Sequence, residues 1–305
     1  MSAAVAQQAL VTGLATGATY GLIALGFSLV HRLTGVIAFA HGDIAVGAVF
    51  LAVLVVIGTT PVASSLGVAS AVALIALALI AGALLSAAVY AAAVRPFLPR
   101  VRGGTGSDVI GWVAGGLVAG LLVRELLSLP FSQQAYALPD PLSSGVIGLG
   151  GGVTLPVRAF EVLAIALVVG IGVERALARS GAGALMRAVS EDPTAAALLG
   201  VSTERVIFAA FGLAGALAGL AGLLIAPAAP LGPTDGVLLG LQGIAAALLG
   251  RLGSLRLAIA GGLALGVLES FITAWTALGA RWAALLPLIL LVAIAPTRSN
   301  GLLAR

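Results

Sequence analysis

Apolar residues fill this chain in long blocks, separated by short clusters of arginine, glycine, proline and small polar residues. A helix needs about 20 apolar residues to cross hydrocarbon. Blocks on that scale run from Val5 to Val30, Leu66 to Val94, Asp108 to Leu129, Ala159 to Ala178, Val206 to Ala229 and Leu257 to Trp275. Three others are irregular or short: Val36 to Ile57, Gly236 to Leu249, and Trp282 to Ala295. No barrel-type alternation of apolar and polar residues accompanies them, so all are predicted to be helices. The expected fold is all-α: one polytopic transmembrane bundle over residues 1–305, with about eight to ten helices, some of them discontinuous. One interrupted segment falls in each half of the chain, which suggests an internal repeat with a pathway between the halves.

Polar positions orient the bundle. If Arg95, Arg100 and Arg102 lie in the cytoplasm, alternation also places Arg32, Arg175, Arg179, Arg187, Arg205, Arg251, Arg256, Arg298 and Arg305 there. Only Arg124, Arg158 and Arg281 fall toward the other side. Positive charge is retained on the cytoplasmic side, so the N-terminus is expected outside and the C-terminus inside. Met1 to Val30 holds no basic residue, so this stretch reads as a retained span and not as a cleaved signal.

Composition sharpens this picture. Hydrophobic residues make up 61% of the chain and charged residues 9%, against roughly 25% charged in a soluble domain. Cysteine is absent, which excludes disulfides and thiolate sites. Lysine is also absent, all 15 basic residues being arginine. A phosphate-binding loop of the Walker type therefore cannot be built here. Neither can a Schiff base. Basic runs with interleaved aromatics are missing too, which argues against nucleic-acid binding. No nucleophile–base pair or metal cluster stands out, so no catalytic or metal-binding residue is assigned.

Two stretches break the apolar pattern within the spans. Phe39-Ala40-His41-Gly42-Asp43 sets a histidine and an acid inside an apolar segment, flanked by Gly35 and Gly42. Ionisable groups at membrane depth usually face a cavity or a partner. A broken helix lining a polar path is one reading, with Phe39, His41 and Asp43 along it. A simple helix start near the cytoplasmic interface is the other. The second stretch, Leu248-Leu249-Gly250-Arg251-Leu252-Gly253-Ser254, follows the short late segment and adds Gly250 and Ser254 as pathway candidates. Glu269 lies late in a span whose other face is Gly262 and Gly266, and is expected to serve helix packing in the outer half.

Between Arg175 and Arg205 the polar interval predicts a short capped helix. Asp192 suits the N-cap and Pro193 the first helical position. Gly200 suits the C-terminal stop. Ala195, Leu198 and Leu199 would be its apolar face, with Glu191 and Asp192 at the rim. Such a helix has no reason to expose leucine unless a partner covers it, so a docking role is favoured over an ordinary surface helix. On the other side, Leu138-Pro139-Asp140-Pro141 and the run from Gly148 to Gly152 forbid one continuous helix, and an ordered external segment is expected.

These residues resemble a known family, the inner-membrane permeases of branched-chain amino-acid ABC importers. The likeness is carried by Tyr20-Gly21-Leu22-Ile23-Ala24-Leu25-Gly26, Phe39-Ala40-His41-Gly42-Asp43, the Ser190–Gly200 stretch with Val201-Ser202-Thr203-Glu204-Arg205-Val206, the Leu249–Ser254 turn and Ala295-Pro296-Thr297. It covers nearly the whole chain in order. The resemblance implies a multi-pass bacterial inner-membrane subunit that pairs with a second, similar permease, identical or related. It implies two cytoplasmic ATPase subunits, which hold the ATP and magnesium, and an extracytoplasmic solute-binding protein. It also implies that the Asp192–Gly200 helix docks on the ATPase. Branched-chain or other hydrophobic amino acids are the expected solutes. Related permeases carry urea or short amides, and a self-sufficient secondary transporter or channel is a further alternative. Two departures stand out. Arg251 occupies a position that is usually glycine, and the tail Arg298-Ser299-Asn300-Gly301 is atypical.

Overall fold

The computed structural model describes residues 3–58, 67–97, 106–131, 134–142, 145–148, 154–275, 285–291 and 293. Residues 149–153 (which hold Gly150 to Gly152 of the glycine run), Arg100, Arg102, Arg281, the Ala295-Pro296-Thr297 stretch and the tail from Arg298 to Arg305 lie outside the described residues, and the last expected span is described only in part. Helices α1 (Ala3–Thr34), α2 (His41–Val56), α3 (Val68–Val89) and α4 (Gly106–Ser128) build the first half. A π-helical turn over Tyr90–Val94 and a 3-10 turn over Arg95–Phe97 extend α3. After a short hairpin come α5 (Val157–Arg179), α6 (Gly181–Glu191), α7 (Pro193–Leu198), α8 (Thr203–Ile225), α9 (Gly236–Leu249) and α10 (Leu255–Trp275). Residues 285–291 are again helical.

Among the described residues, five helices are long and apolar enough to cross a membrane, so this is a multi-pass membrane protein. The two segments expected to be irregular are the shorter apolar helices α2 and α9. Helix α9 has the bounds read from the sequence, while α2 begins only at His41, after a turn at Gly35. A short hairpin and an isolated bridge between Tyr136 and Leu231 are the departures from an all-helical chain among the described residues. The hairpin strands β1 (Val146–Gly148) and β2 (Thr154–Pro156) pair antiparallel, Ile147 opposite Leu155.

Burial separates centre from rim. In the most apolar windows of α1 and α8, 72% of residues are buried, against 22% for α3 and α4. Lipid tails are as apolar as leucine, so close backbone packing must hold the centre together. Helices α1 and α10 meet through small residues. A methyl group on Gly13 would touch Gly266 and Val267 at 2.9 Å, and Gly17 faces Gly262 and Leu263. Thr12 and Ser270 hydroxyls join the same helices at 3.2 Å.

Several of the described arginines gather at one end of the bundle. Arg95 pairs with Glu204 at 2.5 Å, and Arg256 pairs with Glu174 at 2.6 Å. Arg32, Arg187 and Arg256 line one pocket at this arginine-rich end. At the opposite end Arg158 pairs with Asp140 at 2.5 Å and donates to the Leu224 carbonyl at 2.6 Å. Tyr136 and Leu231 exchange backbone hydrogen bonds at 2.9 and 3.0 Å. Phe50, Phe131 and Tyr136 stack edge to face beside them. The described part of the segment between α4 and α5 is therefore tied to α2, α5 and α8.

Candidate functional site: a central helix junction and a capped surface helix

Helices α2 and α9 both start inside the bundle, and their N-termini meet. A methyl group on Gly42 would strike the Gly236 carbonyl and the backbone of Gly240, and one on Gly236 would strike Asp43. Only glycine permits so close an approach of two backbones. Each helix start carries a partial positive charge. Asp43 sits in the first turn of α2 and against the first residue of α9, so one carboxylate faces both positive ends. Gly120 of α4 abuts its Oδ2, and Arg124, one turn further along α4, acts on the same carboxylate electrostatically. Asp43 is 8% exposed, and its Oδ1 has no hydrogen-bond partner.

His41 is 1% exposed. Its ring packs edge-on to Phe27 at 4.8 Å and fills the space beside Gly26, with Nε2 unpartnered. Phe39 is half-buried in the turn that precedes α2. Gly250 and Ser254 are not part of this junction. They lie at the far end of α9, about 20 Å along its axis. There Gly250 packs against Leu257 and Ala258, and Ser254 accepts the amide of Ala258 at 3.0 Å. Arg251, in the position usually held by glycine, adopts φ 64°. That left-handed conformation is one in which a side chain is disfavoured by about 1–2 kcal/mol.

Two polar residues near the junction were not grouped by sequence reasoning. Gln242 donates to Glu269 at 3.3 Å, and the Tyr20 phenol faces the same carboxylate. Glu269 thus joins α1, α9 and α10. Gln242 is the lone polar side chain in the run from Gly236 to Leu249, a signal that was available. Arg158, only an outlier in the charge bias, holds the segment between α4 and α5 to the end of α8.

The capped helix forms as its sequence dictates. Asp192 Oδ1 accepts the amides of Thr194 at 2.8 Å and Ala195 at 2.9 Å. Pro193 opens α7, and Gly200, at φ 84°, closes it. Glu191 is the last residue of α6 and lies just before the cap, where the extended Asp192 separates the two helices. One side of α7 anchors. Ala196 is 3% exposed in a cluster with Val189, Val206, Ile207 and Phe211. The other side projects: Leu198 is 85% exposed and Leu199 84%. Ala195 is exposed with them.

Residues 9–295 match the family described as branched-chain amino acid transport system / permease component. The chain belongs to this family. BraD of Pseudomonas aeruginosa, a high-affinity branched-chain amino acid transport system permease protein, is 27% identical over 268 residues, covering 87% of this chain and 85% of BraD. LivH of Salmonella typhimurium, named for the same system, is 28% identical over 303 residues, covering 98% of this chain and 95% of LivH. LivH of Escherichia coli is 25% identical over 302 residues, again covering 98% and 95%. The match spans both the Gly42–Gly236 junction and α7, so both features lie within the family's domain.

Proposed function

We propose that this chain is the membrane-spanning permease of an ABC importer, moving a small organic solute, branched-chain amino acids first among them. The observation that carries the reading is α7. A rigidly capped helix stands at the arginine-rich end with two adjacent leucines bare. An exposed apolar pair on an anchored helix is a docking element waiting for a groove. The chain contains no lysine from which a phosphate loop could be made. Nucleotide and magnesium therefore belong to separate ATPase subunits, two of them, which grip α7. A second permease, identical or related, completes the translocation unit, and a solute-binding protein delivers from the opposite face. No reacting group on this chain takes part in hydrolysis.

The arginine-rich end faces the cytoplasm of a bacterial inner membrane, with the N-terminus outside and the C-terminus inside. Phe39, His41 and Asp43 mark the middle of the solute route, and Gly250 and Ser254 its approach to the cytoplasm. His41 and Asp43 are enclosed, so passage requires α2 to move against α9. The names of the relatives supply the preference for branched-chain amino acids.

The test is reconstitution in proteoliposomes with the cognate ATPase and binding-protein subunits. ATP-dependent uptake of leucine, isoleucine and valine is expected, and Leu198→Asp should abolish capture of the ATPase while the permease still inserts. Uptake of urea or acetamide in place of the amino acids would move the solute assignment to the amide carriers. Uptake without any ATPase would overturn the importer reading.

A further inference from the structure

At the arginine-rich end, four helices enclose a cavity of about 270 Å³. Its walls come from the last turns of α1 and α5 and the first turns of α6 and α10. Two helices end there and two begin, so their macrodipoles largely cancel and the side chains set the sign. Those side chains are Arg32, Arg187 and Arg256, against the single acid Glu174. Arg256 spends its Nε on Glu174 at 2.6 Å, and its side chain is 77% exposed, which leaves its terminal nitrogens open to a ligand. Arg187 gives one Nη1 hydrogen to the Leu177 carbonyl at 3.1 Å and keeps the rest of its fork. Arg32 is exposed. Two positive charges remain uncompensated on one small concavity.

The rest of the lining has the opposite character. Leu29, Leu33, Leu177, Met186 and Leu255 form its apolar surface. On the elements that frame it, Leu185 and Leu257 are 44% and 45% exposed. A cavity that is cationic on one side and apolar on the other, where spanning helices meet the interface, matches a molecule with an anionic head and hydrocarbon tails. Basic pockets between helices at this level suit lipid phosphates. Arginine forks also bind phosphate oxygens in pairs.

We propose that this cavity binds the phosphate of an anionic phospholipid from the adjoining leaflet, held by Arg32, Arg187 and Arg256. The lipid fastens α6 to α1, α5 and α10. Because α6 leads directly into α7, the site steadies the helix that carries Leu198 and Leu199. The assignment does not depend on which solute is carried.

The full-length permease, purified and stripped of lipid, is titrated with phosphatidylglycerol, phosphatidylcholine or inorganic phosphate. Bound lipid is read by native mass spectrometry and thermal stability by unfolding. Phosphatidylglycerol should be retained and should raise the melting temperature, and phosphatidylcholine should do neither. Each of Arg32→Gln and Arg256→Gln should weaken phosphatidylglycerol binding roughly fivefold, the value of about one interfacial charge. Arg205→Gln removes an exposed arginine from the same end but outside the cavity, and should leave binding unchanged. Equal retention of phosphatidylcholine would overturn the proposal. So would an equal effect of inorganic phosphate, which would make this a site for a free anion, or an Arg205→Gln loss as large as that of Arg32→Gln. Arg32 is exposed, so Arg32→Gln isolates the loss of charge; Arg256→Gln also breaks the pair with Glu174, and its melting temperature without lipid is the control for that.

Discussion

The centre of the bundle and its arginine-rich end break the ordinary rule of burial in opposite directions. At the centre, His41 and Asp43 are 1% and 8% exposed among apolar neighbours. At the end, Leu198 and Leu199 are 85% and 84% exposed on a polar surface. Each violation has its own compensation. The buried carboxyl group lies against two helix starts with Arg124 one turn away, so what partly offsets its burial comes from within the fold. The exposed leucines have no cover among the described residues, and in the proposed function a partner protein supplies it. A misplaced charge with internal partners marks a joint within the protein, whereas a misplaced apolar pair without them is where the proposed joint between proteins lies. Changes in the two regions should therefore fail in different ways.

The largest effect is expected at the centre. Gly42→Val places branched carbons against the backbone of Gly236 and Gly240, neither of which can yield as a side chain end would. No folded, monodisperse permease should be recovered by size-exclusion chromatography in detergent. Normal recovery would show that the two half-helices need not touch.

Second comes Leu198→Asp, which puts an unpaired charge into the proposed interface. Affinity for the ATPase subunits should fall by roughly 100-fold or more, measured by co-purification, while insertion and thermal stability stay unchanged. A variant that assembles and transports like the parent would remove α7 from the contact.

Third is Asp43→Asn, which keeps the shape and removes the charge between the helix starts. A stability loss of about 1–2 kcal/mol is expected, read from unfolding in mild denaturant, with ATPase capture intact. Loss of capture without loss of stability would erase the distinction drawn between the two regions. The smallest change is Glu191→Ala. It removes an exposed rim charge at the end of α6, and surface pairs contribute about 0–1 kcal/mol. ATPase affinity should shift less than about fivefold in the co-purification titration.

The sequence by itself determined much of this protein. Block length and the scarcity of charge dictated a helical membrane bundle, since lipid satisfies no backbone group. The bounds of α9 and the caps of α7 were legible because each depends on neighbours a few residues away, whereas the start of α2 at His41 fell inside a block read from Val36. Asp192, Pro193 and Gly200 act through their own local backbone. Arginine bias gathered Arg32, Arg95, Arg187 and Arg256 at one end for an equally simple reason, that charge stays out of hydrocarbon. Only the tertiary structure decided what meets what. Gly42 and Gly236 stand far apart in the chain, and nothing in either local stretch says that their helices abut or that Asp43 serves both. Gln242 with Glu269, Arg158 with Asp140, and the cavity shared by Arg32, Arg187 and Arg256 are likewise contacts between distant segments. The hairpin of Val146–Gly148 and Thr154–Pro156 escaped because three-residue strands carry too little alternation to register. Periodicity reports the face a helix turns inward, but packing in a lipid-solvated bundle is chosen by shape, and shape complementarity between distant segments is not written in either one alone.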